Sequence, residues 1–150
     1  ESGYKGEIRY LQSSGGIVGA EAIRSNGVSA LNSGPAAGPS AARFFGDGFG
    51  YRNAITIDMG GTSFDTAVLP DGHPELRGVS EFGGYRVRCP TIDVQAIGAG
   101  GGSIAWVDRG LLRVGPQSAE ANPGPACYDR GGIEATVTDA DVVLGYLNGY

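Results

Sequence analysis

Two predicted strands meet in Ile55-Thr-Ile-Asp-Met-Gly-Gly-Thr-Ser-Phe-Asp-Thr-Ala-Val68. Apolar and polar residues alternate up to Asp58 and again after Ser63, which predicts two strands joined by a tight turn. Gly60 and Gly61 in this turn would let backbone N–H groups approach an anion closely, as a small nest. Such a hairpin can receive the phosphates of a nucleotide, or it can be a strand corner without a ligand.

The side chains around this turn suit phosphate chemistry. Thr62 and Ser63 would add hydroxyl donors, and Asp58 or Asp65 could hold a hydrated Mg²⁺ beside the phosphates. The only lysine, Lys5, lies near the start of the sequence, so a Walker A lysine is excluded. Phosphate binding would therefore depend on backbone amides and a metal ion.

Composition narrows the class of protein. The chain has 150 residues, of which 41% are hydrophobic and 18% charged, and its 28 glycines cluster in short loops. A net charge of −5 with one lysine argues against a nucleic-acid or anionic-membrane surface. Cys89 and Cys127 lack metal-site spacing and are interpreted as reduced thiols. Without a long apolar run or a signal-peptide pattern, a soluble cytoplasmic protein is expected.

Short segments separated by glycine and proline predict a mixed α/β chain. Three strands, 54–58, 64–69 and 76–81, predict an antiparallel meander of hairpins with flanking helices. Pro35 and Pro39 suit helix entry better than a helix interior. The remaining predicted strands are 8–12, 28–31, 85–89, 92–97, 104–108 and 111–114, and the predicted helices are 20–24, 41–45 and 140–147.

A second glycine cluster lies at Gly98-Ala-Gly-Gly-Gly-Ser103. Residues 100–105 fit a dinucleotide fingerprint of the G-x-G-x-x-A kind, but that fingerprint needs a helix directly afterwards. The residues that follow favour a strand instead. The long segment 115–132, rich in proline and glycine, is of a length that is often functional.

Single residues leave alternatives open. His73, in an Asp-Gly-His-Pro turn, is interpreted as a surface residue. Cys127 is interpreted as a packed structural thiol, because no cation lies near it in sequence to lower its pKa. Trp106 is expected in the core. Asp139 is either a helix N-cap or a carboxylate for a metal or substrate site.

Seven segments in fixed order resemble a known family. They are Leu11-Gln-Ser-Ser-Gly-Gly16, Ser33-Gly-Pro-Ala-Ala-Gly38, Asp58-Met-Gly-Gly-Thr-Ser-Phe-Asp65, Ile97-Gly-Ala-Gly-Gly-Gly-Ser-Ile-Ala105, Val114-Gly-Pro-Gln-Ser-Ala119, Pro123-Gly-Pro-Ala-Cys-Tyr128 and Thr136-Val-Thr-Asp-Ala-Asp-Val-Val-Leu-Gly145. Together they are similar to the hydantoinase A / 5-oxoprolinase family, which includes ATP-dependent acetone and acetophenone carboxylase subunits. The similarity covers essentially the whole chain.

The resemblance implies an actin-like (ribonuclease H-like) ATPase fold, in which two lobes clasp ATP. Residues 1–150 would be a central-to-C-terminal fragment, with 1–50 leading in from the preceding lobe and 51–150 forming the second lobe. The first lobe's Asp-x-Gly-Gly-Thr motif is absent, so the fragment alone is expected to be inactive. Glu120 and Asp129 stand where many relatives carry glycine.

The resemblance also implies a site and a reaction. Asp58 and Asp65 would be catalytic, and Asp58 and Asp139 would bind Mg²⁺. ATP would contact two sets of residues, Gly60, Gly61, Thr62 and Ser63, and Gly100, Gly101, Gly102 and Ser103. The implied activity is hydrolysis of a cyclic amide (hydantoin or 5-oxoproline type) through phosphorylation of the carbonyl oxygen, with a second subunit or fused domain. The alternatives are a ketone carboxylase subunit and a noncatalytic nucleotide-binding assembly lobe.

Overall fold

The structure is a computed structural model that describes residues 3–149. The chain divides into two compact units. The first unit runs up to Thr56 and includes Thr66–Val94, and the second contains Ile57–Asp65 and the chain from Gln95 onward. No helix within 3–149 has both the length and the apolar character needed to cross a membrane.

Short strands and three α-helices make up the mixed α/β chain. The strands are β1 (Arg9–Leu11), β2 (Ile17–Gly19), β3 (Ala54–Met59), β4 (Phe64–Leu69), β5 (Leu76–Arg77), β6 (Ser80–Phe82), β7 (Tyr85–Val87), β8 (Thr91–Ile92), β9 (Gln95–Ile97), β10 (Ser103–Asp108) and β11 (Leu111–Ser118). The helices are α1 (Ala20–Ser25), α2 (Ser33–Phe49) and α3 (Val137–Val143). Single 3₁₀ turns occupy Gly27–Ala30, Pro70–Gly72 and Ala126–Tyr128.

The first unit contains the best-buried apolar side chains. Ala36, Leu69 and Ile92 are at most 2% exposed, and they come from α2, β4 and β8. Ser13 is buried beside them, and its backbone N–H donates to Ser29 while its hydroxyl accepts from the Asn32 N–H at 2.9 Å. Antiparallel pairs β1–β2, β5–β8 and β6–β7 complete the unit.

The second unit is organised by the antiparallel hairpin β10–β11. Its turn residues Arg109 and Gly110 both have positive φ, 49° and 82°, as a two-residue hairpin turn requires. Ile104 on β10 bridges to Thr136, the residue that caps α3. The start of α3 is thereby fixed beside the hairpin.

The strand–turn–strand prediction at 54–69 is confirmed, since β3 and β4 are neighbours in a three-stranded sheet of order β3-β4-β9. The helix at 20–24 and the hairpin at 104–114 are also confirmed. The third meander strand is wrong: 76–81 divides into β5 and β6, which pair with β8 and β7. The predicted strand 92–97 likewise divides, because its two ends belong to β8 and β9 in different units.

Two predictions about local conformation are also wrong. Residues 28–30 lie in the 3₁₀ turn Gly27–Ala30, of which Leu31 is the C-cap, and the apolar pattern does not show this tight turn. The helix predicted at 41–45 begins at Ser33, so Pro39 lies inside α2 and leaves the Pro35 carbonyl without its helical donor. Pro39 is buried, and the removal of its apolar ring from water offsets part of this loss.

Two side-chain predictions are wrong, because neither an aromatic side chain nor the lack of a nearby cation shows whether another segment covers a residue. Trp106 is 45% exposed, not in the core, although its indole Nε1 donates to the Gly115 carbonyl at 2.8 Å. Cys127 is exposed, whereas Cys89 is buried. His73 is exposed, as predicted.

Candidate functional site

The second unit contains a cavity of about 400 Å³ where its two glycine-rich segments meet. We call residues 60–63 the first glycine loop, residues 98–103 the second glycine loop, and the cavity the glycine cleft. The lining residues of the cleft are Met59, Gly60, Gly61, Gly101, Gly102, Glu120, Pro125, Tyr128, Thr138, Asp141 and Leu147. Two segments far apart in sequence thus form one site.

Backbone hydrogen bonds join the two loops directly. Three consecutive amides of the second loop donate to three consecutive carbonyls of the first. The bonds run from Gly100 N to Thr62 O (3.3 Å), from Gly101 N to Gly60 O (2.9 Å) and from Gly102 N to Gly61 O (2.6 Å). The amides of the second loop are therefore occupied, and this loop acts as the support of the first.

Glycine is required in the second loop by close packing. A Cβ on Gly100 would lie 2.6 Å from the Ser63 nitrogen, and one on Gly102 would lie 2.9 Å from the Gly61 carbonyl oxygen. Carbon and backbone atoms do not approach this closely without overlap, because attraction is optimal near ~3.5–4.0 Å. Any side chain at these positions would push the loops apart.

The first loop is different, because two of its amides have no partner in the described chain, whereas the Gly60 N–H donates to the Ser63 carbonyl at 2.9 Å. Within the described residues, the backbone N–H groups of Gly61 and Thr62 donate no hydrogen bond, and both residues are exposed. A Cβ on Gly61 would meet no atom within 4 Å, and neither Gly60 nor Gly61 has a positive φ. The fold itself therefore does not need glycine at position 61, whereas close approach of an anion to the backbone would.

The first turn of α3 holds the second loop. The backbone N–H and the hydroxyl of the buried Thr138 both donate to the Gly101 carbonyl at 2.8 Å. The Gly102 carbonyl accepts from the Ala119 N–H at 2.8 Å, just beyond the end of β11. Ser103, also predicted to contact ATP, is buried and makes a long hydroxyl bond of 3.5 Å to Thr62 O.

Asp139 closes the capping box of α3 at its third position, so it is not the N-cap; Thr136 is. Its Oδ1 accepts from the Cys127 N–H at 2.7 Å. Its Oδ2 accepts from the N–H and hydroxyl of Thr136, both at 2.8 Å, and from the Ala126 N–H at 3.3 Å. Burial raises the pKa of Asp139, but the bonds from Cys127 and Thr136 outweigh it and lower the pKa to about 2. Its metal role stays a prediction.

The other two predicted carboxylates lie in the hairpin. Asp58 is exposed at the end of β3, and its carboxylate has no hydrogen bond or ion pair within residues 3–149. Asp65 is half-buried and accepts a long bond of 3.4 Å from the Ser63 hydroxyl. The part of the chain that is described has no cluster of three or more metal-ligating side chains. A cation here would be held by one or two carboxylates, water and phosphate oxygens, which is the usual environment of Mg²⁺.

Electrostatics favour a metal-bound ligand over a bare phosphate. Glu120 and Asp141 line the glycine cleft, and none of its described lining residues is Lys or Arg. An anion entering alone would meet two carboxylates and no side-chain cation. A phosphate that carries a divalent cation avoids this repulsion.

Sequence reasoning did not assign Glu120, Tyr128 or Asp141 to the site. Tyr128 and Asp141 lie within segments 123–128 and 136–145, so the ordered motifs themselves contained the signal. Glu120 was noted only for standing in a glycine position. Its φ of 54° explains that preference, since glycine adopts this conformation without strain.

Apart from Glu120 and Leu147, the residues that line the cleft lie in the ordered motifs. A sequence model of the family described as Hydantoinase/oxoprolinase matches residues 1–150. The chain belongs to the hydantoinase/oxoprolinase family.

Curated proteins are similar to this chain over nearly its whole length. The caprolactamase subunit alpha of Pseudomonas jessenii is 50% identical over 148 residues, covering 98% of this chain and 21% of that protein. The acetophenone carboxylase gamma subunit of Aromatoleum aromaticum is 42% identical over 151 residues, covering 97% and 20%. The chain thus spans about one fifth of the length of these relatives.

Solved structures of the family show the same mixed α/β fold. The nucleotide-free structure of acetone carboxylase, from work on ATP-dependent acetone carboxylation, matches with a TM-score of 0.80 and 30% identity over 97% of this chain and 21% of that one. The crystal structure of the ATP-dependent caprolactamase from Pseudomonas jessenii matches with a TM-score of 0.77 and 48% identity over 95% and 21%.

Proposed function

We propose that this chain supplies part of the ATP site of an enzyme that hydrolyses a cyclic amide. The observation that carries the proposal is the pair of unpaired amides at Gly61 and Thr62, beside a cavity lined by both glycine loops. The 50% identity to a caprolactamase subunit supports a cyclic amide as the substrate. Cyclic amides of the hydantoin or 5-oxoproline type belong to the same class.

The strand–turn–strand loop supports an actin-like ATPase lobe that comprises residues 51–150. In this proposal the amides of Gly61 and Thr62 donate to phosphate oxygens, and the hydroxyls of Thr62 and Ser63 add donors. The second glycine loop keeps the first in place through its three amide bonds. Catalysis of phosphoryl transfer depends mainly on positioning and charge stabilisation, and preorganised donors of this kind provide both.

The residues present fit Mg²⁺ as the accompanying cation. The Asp58 carboxylate is exposed and unpaired within the described chain, two residues before Gly60, and is therefore free to hold a hydrated ion. Bound there, Mg²⁺ would neutralise phosphate charge that the acidic cleft cannot. Asp65 would act on the same side of the hairpin as a catalytic carboxylate.

ATP is needed because an amide carbonyl is a poor electrophile. Transfer of the γ-phosphoryl group to the carbonyl oxygen, with release of ADP, leaves a carbon that water can attack. The ring C–N bond then breaks and phosphate leaves. The chain's part in this sequence is to hold the phosphates in line, with Gly61 and Thr62 donating to them.

Calorimetric titration of the full-length protein with Mg-ATP tests the proposal. We expect Gly61→Ala to weaken the Kd at least tenfold, and Asp58→Ala to reduce ATP hydrolysis strongly. Gly78→Ala is the matched control, since a Cβ there meets no atom within 4 Å and the residue lies outside the glycine cleft. Normal hydrolysis by Asp58→Ala would refute the role assigned to that carboxylate.

A ketone carboxylase subunit is the second candidate, favoured by the TM-score of 0.80 to acetone carboxylase. Product analysis separates the two activities: ADP formation with 5-oxoproline, caprolactam or a hydantoin, against ADP formation with bicarbonate and acetone or acetophenone. Nucleotide binding without turnover on either set, in the complete assembly, would instead support the noncatalytic assembly lobe.

A further inference from the structure

Asp139 connects two segments of the second unit that are separate in sequence. Through Thr136 its carboxylate closes the first turn of α3, and through Cys127 and Ala126 it holds residues 123–128, which we call the rim loop. The bonds to Cys127 and Thr136, at 2.7 and 2.8 Å, are as short as charge-assisted hydrogen bonds usually are. A single charge therefore anchors the loop to the helix.

The rim loop is part of the glycine cleft, to which it contributes Pro125 and Tyr128. Apart from the bonds to Asp139, one further backbone bond ties it to another segment within residues 3–149, from Gly124 N to Ala119 O at 3.1 Å. The neighbouring Thr138 holds Gly101 on the second glycine loop. Adjacent residues of α3 thus hold two segments that line the same cavity.

The hydrogen bonds leave the Asp139 carboxylate little capacity for a metal. Oδ2 already accepts three hydrogen bonds and Oδ1 accepts the shortest one. Coordination of a cation would displace donors that cap α3 or anchor the rim loop, and those backbone amides would lose their partner. Asp58, in contrast, has no such bonds to lose.

We propose that Asp139 is a positioning residue, which holds the rim loop so that Pro125 and Tyr128 form a wall of the nucleotide site, without contacting metal or nucleotide. The proposal rests on the proposed function for its effect on ATP. The anchor itself is a property of the chain without any ligand.

The test uses the full-length protein and Asp139→Asn, which keeps the shape of the side chain but replaces one acceptor with a donor. The matched control is Asp129→Asn, which removes a carboxylate two residues after Cys127 that makes no hydrogen bond or ion pair within the described chain and lies outside the lining of the cleft. Thr136→Val is a second variant, which keeps the Asp139 charge and its bonds to the rim loop but removes the hydroxyl that donates to Oδ2 and accepts from the Asp139 N–H. Thermal melting establishes that each variant is folded.

Hydrogen exchange is the first readout, measured without nucleotide. In Asp139→Asn we expect the amides of Ala126, Cys127 and Thr136 to exchange at least tenfold faster, while those of Gly101 and Gly102 keep their protection. Thr136→Val should show a smaller increase in the same direction, and Asp129→Asn none. Unchanged exchange at Cys127 in Asp139→Asn would overturn the proposal.

ATP affinity with Mg²⁺ and with EDTA is the second readout. A positioning role predicts that Asp139→Asn weakens both affinities by the same factor, about tenfold, whereas a metal ligand would weaken only the affinity measured with Mg²⁺. That second result would overturn the proposal. If the wild-type protein binds no ATP under either condition, the proposed function fails together with any effect of Asp139 on ATP, and the exchange data still decide whether the anchor exists.

Discussion

The two glycine loops of the second unit contain the same residue type for opposite reasons. At Gly100 in the second loop, glycine is required by the fold, since a Cβ there would lie 2.6 Å from the Ser63 nitrogen and the Gly100 amide is bonded to the first loop. In the first loop, a Cβ on Gly61 would meet nothing and its amide has no partner in the described chain. The difference shows that packing accounts for glycine at position 100 and not at position 61, which supports the proposed contact of the first loop with phosphate.

The largest expected effect is that of Gly100→Ala on stability. Its Cβ would overlap the Ser63 nitrogen, so we expect a loss of about 3 kcal/mol in the free energy of unfolding. Urea denaturation of the full-length protein measures it. Gly98→Ala in the same loop is the control, because a Cβ there would meet no atom within 4 Å. Equal stabilities of the two variants would break the comparison.

Thr138→Val measures how much the first turn of α3 contributes to the stability of the second loop. The substitution removes the hydroxyl bond to the Gly101 carbonyl and retains the backbone bond and the side-chain volume. We expect a loss of about 1 kcal/mol in unfolding free energy. A loss as large as that of Gly100→Ala would mean that the bond from α3 stabilises the second loop as much as the close contact between the two loops does.

Glu120→Gly tests a third kind of glycine position, where only φ matters. Glu120 has a φ of 54°, and a non-glycine residue pays about 1 kcal/mol or more for this conformation. We therefore expect a gain of about 1 kcal/mol, partly reduced by the added freedom of the unfolded chain. Thermal melting measures it, and a fall in melting temperature would contradict the assignment of strain.

The sequence predicts the first glycine loop better than its contact with the second. The hairpin at 54–69 could be predicted because alternation and a Gly-Gly turn are local signals. The joining of Gly101 to Gly60 could not be predicted, because no local pattern encodes which carbonyl a distant amide finds. The role of Asp139 could not be predicted either: a carboxylate near a helix start suggests an N-cap, whereas the N-cap is Thr136 and the bond from Cys127 to Asp139 spans a loop.

The wrong strands have a common physical cause. Residues 76–81 and 92–97 are apolar enough for single strands, but each is divided between different partners. Exposed side chains such as Trp106 escaped prediction because apolar character does not reveal whether a neighbouring segment covers it.

The pH dependence of stability gives a smaller effect. Asp139 has a pKa of about 2 in the folded chain, below the ordinary 3.8, so its stabilisation is present above about pH 4 and is lost as pH falls through 2. The difference in unfolding free energy between wild type and Asp139→Asn should be constant from pH 8 to about pH 5 and shrink below pH 4. A difference that shrinks already between pH 8 and pH 6 would contradict the hydrogen-bonded carboxylate.

Thiol reactivity gives the smallest expected effect. A hydrogen bond to the Asp139 carboxylate raises the pKa of the exposed Cys127 thiol, with burial and the carboxylate's charge adding to it. In Asp139→Asn, Cys127 should therefore be alkylated faster than in the wild type at pH 8, because more of the thiol is present as thiolate. Iodoacetamide labelling followed by mass spectrometry measures the rate, with the buried Cys89 as internal reference.

The most direct test of the central claim compares Gly61→Ala with Gly98→Ala in the full-length protein, by unfolding free energy and by Mg-ATP affinity. Both positions have room for a Cβ, so both variants should keep wild-type stability to within about 0.5 kcal/mol. We expect Gly61→Ala alone to weaken the Kd for Mg-ATP, by at least tenfold. Wild-type affinity in a stably folded Gly61→Ala would contradict the assignment of the first loop to phosphate.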